Sequence, residues 1–188
     1  MLTLDALGLE ASGCTRCKLA STRNNVVFGM GNPDSQLMIV GEGPGAEEDK
    51  QGLPFVGRSG QLLDRLLKEE MGIDRTGCYI ANVVKCRPPD NRDPQADEID
   101  ACSSYLNGQI ELIRPRVVVT LGNFSSRLLL GTTEGITKLR GRSYPFRTGV
   151  LIPTFHPAAV LRGGAEPMAM MRADLVRAKL ILRGELDS

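Results

Sequence analysis

Several residue types are scarce in this chain of 188 residues, and each scarcity narrows its chemistry. There is no tryptophan, only 4% of residues are aromatic, and there is a single histidine. Any imidazole-dependent step must use His156, and a histidine-rich metal centre within one chain is excluded. An excess of one charge is also missing. Lys plus Arg number 23 and Asp plus Glu 22, giving a net charge of +1. A chain that binds nucleic acid through overall positive charge is excluded, although a local basic patch is not. No apolar run approaches the ~20 residues that a membrane span requires. The first ten residues carry neither a basic stretch nor a long apolar run, so no secretory signal is expected. A cytoplasmic protein without membrane contact is expected, in one domain over residues 1–188.

The five cysteines stand out against this background. Thiols in the cytosol stay reduced and read as metal ligands or reactive groups before disulfides. Cys14 and Cys17 form a CxxC on a turn, Cys86 follows an apolar run, and Cys102 lies in the next helical segment. Four thiolates suit either tetrahedral zinc or an iron–sulfur cluster, and spacing alone does not choose between them. Cys78 opens a strand and reads as an inert buried thiol.

Four continuous apolar runs, 37–41, 78–84, 116–122 and 150–155, have the pattern of parallel strands covered on both faces. Helical spacing fills the intervals at 59–70, 94–113, 123–130 and 166–183. This alternation predicts a parallel sheet with helices on both faces. The segment 43–58 reads as one long glycine-rich loop, and such loops are often functional. Gly41, Glu42, Asn82 and His156 fall at or near the carboxyl ends of three strands, the edge where open α/β sheets bind ligands.

The segment Gly41–Gly45 (GEGPG) is neither a GxGxxG fingerprint nor a P-loop, and its neighbouring acids would repel phosphate. Read with Cys14–Cys17, Pro54–Gly57 (PFVG), Asn82–Pro89 (NVVKCRPP), Cys102 and His156–Ala159 (HPAA), it resembles the family 4 uracil-DNA glycosylases, the iron–sulfur type of that superfamily. The resemblance runs from Cys14 to Arg162. It implies a three-layer α/β/α sandwich with a central four-stranded parallel sheet. It also implies a [4Fe–4S] cluster held by Cys14, Cys17, Cys86 and Cys102, and a monomer that hydrolyses the N-glycosidic bond of uracil in single- or double-stranded DNA.

Roles for individual residues follow from the same resemblance. The uracil pocket includes Gly41 and Gly43, with Phe55 stacking on the flipped base, since base–aromatic stacking is worth ~1–3 kcal/mol. Asn82 offers a donor to uracil O4 and an acceptor to N3–H, a pattern that cytosine inverts. Glu48 helps close the pocket near C5, with Glu47 as the adjacent alternative. His156 donates to the anion developing at O2, for which a neutral imidazole suffices. Glu42 orients water or supports the loop. The basic run Lys138, Arg140, Arg142 and Arg147, joined by Lys85, Arg87, Arg92 and Arg162, is a candidate phosphate-binding face. Leu161 or Arg162 resembles the wedge that enters DNA as the base leaves.

Three other readings are weaker. A family 5-type glycosylase fits Glu42 and Asn82 poorly. A DNA-cross-linking relative needs a basic insert with a histidine that 57–60 lacks. A non-catalytic iron–sulfur protein explains the cysteines but not Asn82, Phe55 and His156 together.

Overall fold

The computed structural model describes residues 3–187. A mixed six-stranded sheet forms its centre, with strands β1 (Met30–Gly31), β2 (Leu37–Gly41), β3 (Tyr79–Asn82), β4 (Val117–Leu121), β5 (Tyr144–Phe146) and β6 (Gly149–Thr154). The spatial order is β1-β3-β2-β4-β6-β5. The inner four strands pair in parallel, and β1 and β5 pair antiparallel at the two edges. The four expected strands are therefore the parallel core, but the sheet has six strands rather than four. The edge strands are two and three residues long, one ending in glycine and the other centred on Pro145. Neither has an apolar pattern of its own, and each is defined by its pairing with a longer inner strand.

Side chains alternate across the inner strands and fill two cores. One face carries Leu37, Ile39, Ile80, Val117, Val119 and Ile152. It packs against α3 (Arg58–Leu66), α7 (Pro157–Gly163) and α8 (Ala165–Arg183) through Leu63, Leu66, Val160, Met171, Leu175 and Ile181. The other face carries Met38, Val40, Ala81, Val118 and Leu151. It meets α1 (Leu4–Ser12) and α4 (Ala96–Ile113) through Leu7, Ala11, Tyr105, Leu106 and Ile110. This is the expected three-layer α/β/α arrangement.

The segment read as one long loop contains a short helix, α2 (Ala46–Gln51). Its first turn carries three acids, which suit a helix N-terminus. Beyond α3 the chain continues through a wide π turn, Leu67–Met71, before Gly72 ends it with φ of 70°. Two further helices, α5 (Asn123–Leu130) and α6 (Ile136–Leu139), follow β4. No described helix is long and apolar enough to cross a membrane.

From β2 the chain runs to β3 on one side and later to β4 on the other. The carboxyl ends of β2 and β4 therefore flank a topological switch point, where such sheets open a crevice.

Candidate active site and thiol pocket

A cleft of about 1080 Å³ occupies that crevice. Its wall includes Glu42, Gly43, Glu48, Phe55, Asn82, His156 and Arg162, brought from the ends of β2, β3 and β6, the loops beyond them, α2 and α7. Gly41 lies just behind this wall. A Cβ on Gly41 would fall 2.5 Å from both Asn82 Oδ1 and Phe55 Cζ, so only glycine lets these two side chains meet over the end of β2. The two strand exits are held together because Val83 N–H donates to the Gly41 carbonyl at 3.0 Å and Val84 N–H to the Glu42 carbonyl at 3.1 Å.

Asn82 is 1% exposed, and its Oδ1 is the one buried side-chain polar atom without a hydrogen-bond partner among the described residues. Leaving a buried acceptor unpaired costs roughly 1–3 kcal/mol. Such an atom in a cleft marks a place where a ligand donor belongs.

Phe55 is 6% exposed and packs partly into the core, yet its ring also lines the cleft. Its centroid stands 6.0 Å from that of His156, with the planes tilted by 34°. The backbone at Phe55 has φ of 52°, a left-handed conformation that costs a non-glycine residue of order 1–3 kcal/mol. Three groups hold it there. Glu48 Oε1 accepts from Val56 N–H and Gly57 N–H, both at 3.0 Å. Arg75 donates to the Pro54 carbonyl at 2.7 Å and to the Phe55 carbonyl. Gly60 has no Cβ, which would sit 1.7 Å from the Phe55 oxygen. Glu48 thus lines the cleft while bracing the aromatic loop. Glu47 is exposed and pairs with Lys50 at 2.9 Å.

His156 caps the N-terminus of α7, and its Nδ1 accepts from Ala158 N–H at 3.1 Å. An acceptor at Nδ1 leaves the ring proton on Nε2. Burial first, and then the positive charge of Arg162, push its pKa down to about 4 against an opposing pull from Glu48. The imidazole is neutral at physiological pH. Glu42 shows the reverse shift. Burial raises its carboxyl pKa to about 7, and Asp93 adds like-charge repulsion and a hydrogen bond. Sequence reading missed Asp93, since the loop after Pro89 carries no apolar pattern that would fold it back over the cleft. It also missed Asn123 and Arg127, which line the cleft from α5.

The basic residues divide into exposed and committed groups. Lys138, Arg142, Leu161 and Arg162 are exposed. Arg140 is committed elsewhere, with Nε and Nη2 donating to Asp174 at 2.9 and 2.8 Å, and Asp174 is 1% exposed. Arg147 lies in the β5–β6 turn, at the amino end of β6 and so away from the cleft, near Asn107 and Glu111. Lys85 is only 1% exposed and is no surface cation. Arg92 pairs with buried Glu98 at 2.6 Å. The sequence pattern gave basic residues but not their partners.

Cys14, Cys17, Cys86 and Cys102 line a second, smaller cavity together with Arg16, Arg23, Lys85 and Tyr105. All are free thiols. Cys102 Sγ accepts from the Lys85 backbone N–H at 3.3 Å, and Cys86 Sγ accepts from Arg23 at 3.6 Å. Burial raises the thiol of Cys86 to about 11 despite Arg23, and burial also raises that of Cys102. No three His, Cys, Asp or Glu side chains among the described residues group as the ligands of a metal ion would. Cys78 is buried under α3, apart from the other four, and burial lifts it to about 12.

Comparison with known proteins follows the same lines. The Uracil DNA glycosylase superfamily pattern matches residues 28–177. A type-4 uracil-DNA glycosylase of Thermotoga maritima is 47% identical over 175 residues, covering 92% of this chain and 91% of that protein. One from Sulfurisphaera tokodaii is 46% identical over 169 residues, covering 86% and 77%. A type-5 uracil-DNA glycosylase of Pyrobaculum aerophilum is 35% identical over 114 residues, 53% of this chain and 50% of its own length.

Proposed function

The chain belongs to the type-4 branch of the uracil-DNA glycosylase superfamily, and from that premise we propose that it removes uracil from DNA by hydrolysing the bond between uracil N1 and the sugar C1′. The observation that carries this reading is the unpaired, buried Asn82 Oδ1 in the cleft that Phe55 and His156 also line.

The base must leave the helix to reach this cleft. Phe55 offers the ring face on which it stacks. Asn82 Oδ1 accepts from uracil N3–H while the amide nitrogen donates to O4. Cytosine has no N3–H and carries an amino group at C4, so it would leave the acceptor unpaired and confront the amide donor with another donor. As the C1′–N1 bond breaks, its electron pair passes to the base and spreads to O2, where Nε2–H of neutral His156 donates to it. Water then bonds to C1′, and its proton passes to the Glu42 carboxylate or to solvent. The raised pKa of Glu42 suits a group that takes up a proton near neutral pH.

The proposed DNA-facing surface is the exposed set Lys138, Arg142 and Arg162, with Leu161, 44% exposed, as the wedge beside the cleft. Arg140 is left out of it, because its guanidinium serves Asp174. The chain acts as one domain, as a monomer, in the cytoplasm.

By ligand type, though not by grouping, the donor set of the second cavity suits a [4Fe–4S] cluster. Four soft thiol ligands come from the turn after α1, the exit of β3 and helix α4, with cationic side chains beside them to offset a buried anionic centre. Cys14, Cys17, Cys86 and Cys102 would hold it. Its contribution is a structural cross-link of those three segments.

The test of the base-reading role is Asn82→Leu, which keeps the volume and removes both polar atoms. Uracil release should fall by on the order of 10²-fold in kcat/KM with folding intact. An unchanged rate would remove the base-reading role from Asn82.

A further inference from the structure

Lys85 lines the thiol cavity and also reaches the residue that reads the base. Its side chain is buried, with Nζ donating to the backbone carbonyl of Asn82 at 2.7 Å and to Gln109 Oε1 at 2.6 Å. Gln109 is in turn fixed by donating from Nε2 to the Phe28 carbonyl at 2.8 Å and to the Tyr79 hydroxyl at 3.3 Å. The backbone N–H of the same lysine donates to Cys102 Sγ. One residue therefore touches the carbonyl of the base-reading asparagine and a wall of the thiol pocket.

Burying a lysine carries a desolvation cost that an apolar side chain of similar length avoids. Stability alone gives a weak reason for a lysine here. The geometry supplies another. β3 ends at Asn82, where the chain turns away toward Cys86, and the edge strand β1 reaches only Ile80 and Tyr79. The Asn82 carbonyl lies beyond that pairing: β2 holds the other side of the same peptide through Val83 N–H and the Gly41 carbonyl, and Lys85 Nζ donates to the Asn82 carbonyl from inside the protein.

We propose that Lys85 is a positioning residue for base selection: its side chain fixes the peptide that carries the Asn82 amide, and its backbone ties that peptide to the thiol pocket. This rests on the reading of Asn82 as the group that recognises uracil. A carboxamide must be held to a fraction of an ångström to accept from N3–H, and displacements near 1 Å can cost on the order of 10²-fold.

The test is a double-mutant cycle between Lys85→Met and Asn82→Ala in the iron-loaded protein. It is read by equilibrium binding of free uracil and by kcat/KM on a uracil-containing oligonucleotide, with iron content and melting temperature as controls. Lys85→Met should weaken both quantities by ~10-fold or more when Asn82 is present. It should change them by less than about 2-fold when Asn82 is already alanine. Equal losses in both backgrounds would overturn the proposal and leave Lys85 a general packing residue. Wild-type uracil affinity in Asn82→Ala would have a different meaning, because it would remove the base-reading role itself. Should Lys85→Met fail to fold, the cycle is run with Lys85→Met/Gln109→Leu against Gln109→Leu, which removes donor and acceptor together.

Discussion

The Nδ1 atom of His156 accepts a hydrogen bond from the backbone N–H of Ala158 at 3.1 Å, two residues further along the chain. That contact fixes the tautomer and commits Nε2–H to the cleft. Protonation of Nδ1 would break it, and burial first and then Arg162 hold the pKa down at about 4. His156→Ala should therefore fold normally and lose on the order of 10²–10³-fold in kcat. Single-turnover rates on a uracil oligonucleotide check this, and wild-type turnover by the variant would end the assignment.

The same shift has a sign for stability. The folded-state pKa lies below the ordinary histidine value near 6.5, so the unfolded chain takes up its proton first as pH falls. The contribution is present above about pH 6.5 and is lost as pH falls toward about 4. Replacing His156 by Gln should flatten the decline of melting temperature across that window. An identical decline in wild type and variant would show that other groups cause it.

If Glu42 takes the proton from water, Glu42 and Asp93 together should set the pH dependence of the rate. With Glu42 titrating at about 7, kcat should rise with pH through the neutral range as the carboxylate forms. Asp93→Asn removes the like charge but not the burial, so the rise should move to lower pH without disappearing. Glu42→Gln should abolish it. A profile that is flat in wild type, or one unmoved by both substitutions, would exclude Glu42 as the titrating group.

Much of this arrangement was legible in the residues. The strand at Leu37–Gly41 and the helix at Asn123–Leu130 have the bounds that the apolar pattern predicts, because each is covered by core on both sides or along one stripe. The motif residues Glu42, Phe55, Asn82 and His156 meet in one cleft because strand ends converge at the switch point. The edge strands and α2 were missed. Two or three residues at a sheet edge, or six after GEGPG, carry too little pattern to register. Charge was the least legible feature. Arg140, Arg92 and Lys85 read as a basic face, but each has a partner distant in sequence or in the interior that only the fold supplies.

Those partners separate two kinds of basic residue in experiment. Arg162→Ala and Lys138→Ala should each lower the slope of log K against log salt for DNA by ~1, while leaving melting unchanged. Arg140→Ala should do the reverse, because it strands the buried Asp174 carboxylate at a cost of about 3–5 kcal/mol. A salt slope that changes only in Arg140→Ala would contradict this division.

The thiol pocket makes a compositional prediction. Purified protein should carry iron with broad visible absorption, and Cys86→Ser or Cys102→Ser should lose both. Stoichiometric zinc in place of iron would overturn the cluster assignment.

The central claim is tested most directly by incubating the purified protein with synthetic oligonucleotides that carry one uracil, cytosine or thymine at the same position, and measuring the released base. Free uracil and an alkali-labile abasic site should appear from the uracil strand alone, with release falling sharply in Asn82→Leu and His156→Ala. No uracil release from the iron-loaded protein, or release that is equal in both variants and the wild type, would contradict the account.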